Sequence, residues 1–117
     1  MANFKKLEVW EKAHALSLLS HKVALGIRGG MYASLKNQLV RAALSIPTNI
    51  VEGREQKTDA EFARYLRYAL ASTSELEYQA IAARDIGVIS AEDFISLSAQ
   101  AKTVRMMLFG LLKRLDK

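Results

Sequence analysis

Glycine-marked breaks cut this chain into four long runs in which apolar residues recur at steps of three and four, and this punctuation limits the fold more than any other feature. Gly29-Gly30 stops a run over 7–28, Gly53 ends a second that begins near 33, and Gly87 closes a third. Thr58-Asp-Ala-Glu61 reads as a capping box opening the third run. Ser90 is an N-cap for a fourth that continues to the end, with Glu92 and Asp93 placed to favour the helix dipole. A single proline and few β-branched clusters argue for helix throughout. Connections this short place consecutive helices antiparallel, so the expected fold is all-α, an antiparallel up-down-up-down four-helix bundle forming one domain over residues 1–117.

The fourth run shows its seam most cleanly, with Phe94, Leu97, Ala101, Val104, Leu108, Leu111 and Leu115 in alternating steps of three and four. In the third, Phe62, Leu66, Ala69, Thr73, Leu76 and Ala80 keep that rhythm, flanked by Tyr65 and Ala83. Small residues there allow a neighbouring helix to approach closely. Helix 1 gathers Val9, Ala13, Leu16, Leu19, Val23 and Ile27 on one side, and helix 2 gathers Leu35, Leu39, Ala42, Ala43, Ile46 and Ile50.

Both of these helices carry a second apolar set on the far side: Leu7, Leu18 and Leu25 in helix 1, and Val40, Leu44 and Val51 in helix 2. A bundle helix in a monomer needs one buried stripe. The excess predicts a homo-oligomer that buries these six residues between copies.

Between the two apolar faces of helix 2 runs a polar stripe of Gln38, Arg41, Ser45, Thr48, Asn49 and Glu52, interrupted by Pro47. Proline has no N–H and clashes with the carbonyl four residues back, here that of Ala43, so a kink is expected and the freed carbonyl calls for Ser45, Thr48 or Asn49. Arg41 and Glu52 are too far apart along the helix to pair, which sends each to another helix or subunit, with Glu75 and Glu77 the available partners for Arg41. Arg41, Ser45, Asn49, Glu52 and Glu75 are therefore read as a structural polar network that fixes register and assembly.

The formal charge is +5, and all of the excess lies in the first half. Up to residue 57, Lys5, Lys6, Lys12, Lys22, Arg28, Lys36, Arg41, Arg54 and Lys57 face only Glu8, Glu11, Glu52 and Glu55, of which Glu8 is spaced to pair with Lys12; beyond it, eight basic and eight acidic residues balance. Such asymmetry permits a polyanion-binding face, for which Lys5, Lys6, Lys12, Lys22, Arg28, Lys36, Arg54 and Lys57 are the candidate phosphate contacts. Nothing in the pattern indicates base readout.

Catalytic and metal chemistry find little footing. The absence of cysteine removes thiolate catalysis and thiolate metal sites. Glu11-Lys-Ala-His14 has the E-x-x-H form of di-iron bundles, but a second motif is required, and the other histidine, His21, has Leu18 where the glutamate belongs. No phosphate-binding glycine loop follows a strand, and no serine is marked by a nearby base and orienting acid. The reading is of a protein without enzymatic activity, cofactor or metal. No apolar run reaches the roughly 20 residues of a membrane span, and the opening MANFKKLEVWEKAH carries no signal-peptide core, so a cytoplasmic location without membrane contact is expected.

Three segments carry a resemblance: FKKLEVWEKA at 4–13, QLVRAALSIPTNIVEG at 38–53 and STSELE at 72–77. Together they resemble the bacterial four-helix-bundle proteins first noticed as products of intervening sequences in large-subunit ribosomal RNA genes. The chain departs from that pattern at Gly29-Gly30-Met31-Tyr32, where the family usually has a proline and a glutamate, and at Ser72-Thr73-Ser74, where it has a Gly-Ser pair. The resemblance implies a ring-like homopentamer of four-helix subunits, no established enzymatic activity, and, from the genomic setting, an association with structured RNA. The combined expectation is a non-catalytic oligomer that binds structured RNA or DNA through a basic surface; the alternative is an adaptor whose second apolar faces receive a partner protein.

Overall fold

The computed structural model describes residues 3–116. Four helices follow one another: α1, Glu8–Leu25; α2, Ala33–Arg54; α3, Asp59–Ile86; and α4, Ala91–Leu115. Short 3-10 turns at Phe4–Lys6 and Gly30–Tyr32 precede α1 and α2. Each helix packs on its neighbours in the order α1, α2, α3, α4 and back to α1, and among the described residues no diagonal pair brings Cα atoms within 8 Å. The result is an elongated bundle of 45 × 21 × 20 Å.

The contacts fix direction as well as adjacency. Ser45 meets Ser72 while Gly53 meets Phe62 and Tyr65, so rising numbers in α2 match falling numbers in α3. Likewise Glu77 pairs with Arg105 and Arg67 with Asp116 across α3 and the end of α4. Both pairs of helices are antiparallel.

Local chemistry explains most of the boundaries. Thr58 Oγ1 accepts from the Glu61 N–H at 3.1 Å and Ser90 Oγ from the Asp93 N–H at 3.0 Å, each satisfying a donor that the first helical turn leaves free. The reciprocal half of the Thr58 capping box is missing, because the Glu61 carboxylate turns to Arg64 instead. Gly87 ends α3 at φ +91°, and the N–H groups of Gly87 and Val88 both return to the Ala83 carbonyl, a closure that needs the left-handed conformation glycine tolerates.

Two glycines behave differently from the expectation. Helix α1 stops at Leu25 rather than running to residue 28: Gly26 donates back to Val23, the chain leaves the helix, and Ile27 turns into the core. Gly53 does not end α2. It lies inside the last turn as a point of close approach, where an added Cβ would stand 2.8 Å from the Tyr65 Cβ and 2.9 Å from Phe62 Cδ1.

The core follows the seams closely. All six residues of the α3 stripe are buried, together with Ala63, Gln79 and Ala83, and so are Leu39, Ala42, Ala43, Ile46 and Ile50 of α2. Each Leu or Ile so placed contributes about 1.5–3 kcal/mol of apolar transfer. In α4 the seam holds through Leu108, and then Leu112 rather than Leu111 is the buried residue, a drift of one position that a straight helix accumulates against a seven-residue repeat. Helix α2 continues through Pro47, which is buried. Among the described residues, no helix is long and apolar enough to cross a membrane.

Gly53→Ala is expected to lower stability by about 1–3 kcal/mol, because overpacking against Phe62 and Tyr65 outweighs the roughly 1 kcal/mol gained in helix propensity. A urea midpoint at or above the wild-type value would contradict the close approach.

Candidate nucleic-acid interface and the polar cleft between α2 and α3

The polar stripe of α2 lies along its junction with α3. Ser45 and Ser72 share a hydrogen bond of 2.8 Å between hydroxyls, and Asn49 Nδ2 donates to the Ser45 carbonyl at 2.8 Å and to Ser45 Oγ at 3.0 Å. The carbonyl served by Asn49 is thus that of Ser45, not the one that Pro47 frees at Ala43. Thr48 is exposed.

One turn up, Gln38, Arg41, Ala42, Ser45 and Glu75 line an open cleft of about 350 Å³. Arg41 and Glu75 share this space without forming an ion pair, and Glu77 is engaged by Arg105 of α4 at a half-buried site. Glu52 is exposed and contributes its backbone carbonyl to Gln56 Nε2. Of the five residues assigned to the network, Ser45 and Asn49 are hydrogen-bonded, Arg41 and Glu75 face each other's space unpaired, and Glu52 stands apart.

The eight candidate phosphate contacts divide between the two ends of the bundle. Lys5, Lys6 and Lys12 lie in or near the first turn of α1, beside Arg54 at the end of α2 and Lys57 in the connector to α3. Lys22, Arg28 and Lys36 lie toward the opposite end, around the α1–α2 connector, and even the nearest members of the two groups along α1, Lys12 and Lys22, are about 15 Å apart on the helix axis. The fold does not bring them onto one patch of a single protomer.

None of the eight forms an ion pair among the described residues. The four ion pairs among the described residues are Arg64–Glu61, Arg67–Asp116, Arg84–Asp85 and Arg105–Glu77, all on arginines of the second half. The spacing of Glu8 and Lys12 produces no pair. Arg54 is the least available candidate: its Nε is buried without a partner and its guanidinium lies 5.7 Å from the Phe62 ring centre. Hydrogen bonds to Glu61 and then to Tyr68 hold the Arg64 guanidinium above its ordinary pKa.

Of the six proposed interface residues, Leu18, Leu25 and Leu44 are 59%, 63% and 52% exposed. Leu7 and Val40 are half-buried against the core of the same chain, and Val51 is half-buried. Helix α4 adds exposed apolar residues that the seam alone did not reveal, Ile95, Met106 and Phe109, at spacings of eleven and three on the side away from its buried stripe. The same arithmetic that singled out Leu7, Leu18 and Leu25 finds them. His14 stacks on Trp10 with ring centres 5.2 Å apart, and among the described residues no group of three or more acidic or histidine side chains is placed to hold a metal ion.

These features define a class: a four-helix-bundle protein with a polar α2–α3 junction and uncommitted basic residues at both ends. The chain belongs to the 23S rRNA-intervening sequence protein family, whose model matches residues 5–110. A crystal structure of a protein of unknown function from the S23 ribosomal protein family of Bacteroides thetaiotaomicron shares the fold with a TM-score of 0.84. It is 21% identical, and the match covers 90% of this chain and 98% of that one. No curated protein matches the chain.

Ser45→Ala is expected to cost about 1 kcal/mol through the lost hydroxyl pair. In a double-mutant cycle with Ser72→Ala measured by urea unfolding, the two effects should be less than additive. Full additivity would deny the coupling.

Proposed function

We propose that the chain is a non-catalytic subunit of a homo-oligomer, pentameric as the family resemblance implies, that binds structured RNA or other nucleic acid through its unpaired basic residues. One observation carries the nucleic-acid reading: Lys5, Lys6, Lys12, Lys22, Arg28, Lys36, Arg54 and Lys57 all stand outside the ion pairs formed among the described residues, and all but the partly buried Arg54 are unobstructed by the contacts described above. Cations left free in this way are available to replace the counterions of a phosphate backbone. The division between two ends suits an assembly, since cyclic repetition multiplies each small group into a band of like charge.

The exposed apolar residues Leu18, Leu25 and Leu44, with Ile95, Met106 and Phe109 on α4, support the oligomer, because a monomer gains nothing by leaving them in water. The same residues favour a second reading, an adaptor in which a different protein covers them. Pull-down with and without nuclease separates the two. An RNA bridge is lost on nuclease treatment and a direct protein partner is kept.

Filter binding of structured RNA and duplex DNA across a salt series tests the main reading. If the four lysines Lys5, Lys6, Lys12 and Lys57 act together, affinity should fall about a hundredfold between 50 and 200 mM salt, and Lys5→Glu with Lys6→Glu should weaken both ligands alike. No binding at low salt removes the reading. Light scattering on the eluted particle should give a multiple of 13.0 kDa, and a mass equal to that value would remove the oligomer.

A further inference from the structure

The α2–α3 cleft is open to solvent and brings two opposite charges, the exposed side chains of Arg41 and Glu75, to one site. Arg41 and Glu75 line the same space of about 350 Å³, and neither takes part in a side-chain hydrogen bond or ion pair among the described residues. A volume of this size is at the small end of ligand sites, suited to a nucleotide. One turn beyond Glu75 lies Gln79, level with Gln38 by the register that Ser45 and Ser72 set. Gln79 is only 6% exposed, and its Oε1 is buried without a hydrogen-bond partner. Gln79 is thus an unanswered acceptor one turn from Glu75, outside the lining of the cleft.

An exposed aromatic residue lies on the same helix as Glu75, outside the cleft lining itself. Tyr78, one turn after Glu75 on α3, is 69% exposed. Tyr68, two turns before Glu75, is occupied by Arg64, whose Nη1 donates to the tyrosine hydroxyl. An exposed ring three residues along α3 from a cleft-lining carboxylate, which shares its cleft with a guanidinium, offers the kinds of group by which proteins hold unstacked nucleobases.

We propose that this cleft binds a guanine base of single-stranded RNA. The Glu75 carboxylate accepts from the base N1–H and N2–H, Arg41 donates to O6 and N7, and the Tyr78 ring supplies the stacking face. Guanine is selected by the donor pattern. It alone among the four RNA bases presents two adjacent N–H donors to a carboxylate, and its O6/N7 edge matches the arginine fork. Adenine and cytosine offer one donor beside an acceptor, and uracil one donor between two acceptors. The assignment rests on the nucleic-acid reading above and adds base selection to it.

The test uses fluorescence anisotropy with short oligouridine probes that carry one central guanosine, inosine or adenosine. The guanosine probe is expected to bind about tenfold tighter than the adenosine probe, and inosine, which lacks the 2-amino group, to fall between them. Glu75→Gln should abolish the guanosine preference while leaving the salt-dependent binding of oligouridine in place. Equal affinity for all three probes overturns the proposal and leaves phosphate binding intact, and this comparison needs only the wild-type protein. Absence of binding by every probe at low salt overturns both. A changed particle mass of Glu75→Gln in light scattering assigns the cleft to a contact between copies and also overturns it.

Discussion

The close approach of α2 to α3 is the constraint from which the rest of the bundle follows. A Cβ added at Gly53 would press on Phe62 and Tyr65, and Ala42 and Ala43 of α2 and Ala63 and Ala69 of α3 are buried as well. Small residues let the two helices share a long dispersion contact, which fades quickly with separation. The Ser45–Ser72 hydroxyl pair then sets their register. Helix α1 packs on α2, α4 packs on α3, and these two meet along a looser junction where clefts of about 320 and 340 Å³ open beside Lys12 and Gly110.

Much of this was legible in the residues. The apolar steps of α3 and α4 named nearly every core position, and Thr58, Ser90 and Gly87 marked their ends, because capping and burial are local or periodic properties that a sequence states directly. Gly53 was not legible in the same way. A glycine near a helix end signals termination as readily as tight packing, and only the position of Tyr65 and Phe62 on the next helix decides between them. Arg41 shows the same limit: its neighbourhood with Glu75 was readable from the faces of α2 and α3, whereas the capture of Glu77 by Arg105 depends on how α4 is seated.

The basic residues illustrate how a linear property misleads about a spatial one. Their crowding in the first half of the chain suggested a shared surface, but an antiparallel fold returns the chain to its starting end every two helices. Lys5 and Lys57 are therefore neighbours in end rather than in sequence, and Lys22 and Lys36 belong to the other pole. What survives folding is that none of these residues enters an ion pair among the described residues, which is the property the proposed phosphate binding draws on.

The half-buried Arg105–Glu77 pair gives the molecule a pitch gauge. Heptad-like seams of Leu and Ala are nearly self-similar, so α4 displaced by one turn, about 5.4 Å, would still bury a passable row of side chains. That slipped arrangement would leave a guanidinium and a carboxylate each partly withdrawn from water with no counter-charge, an error that greasy surfaces alone do not penalise. The pair thus acts as a veto on mis-threaded bundles.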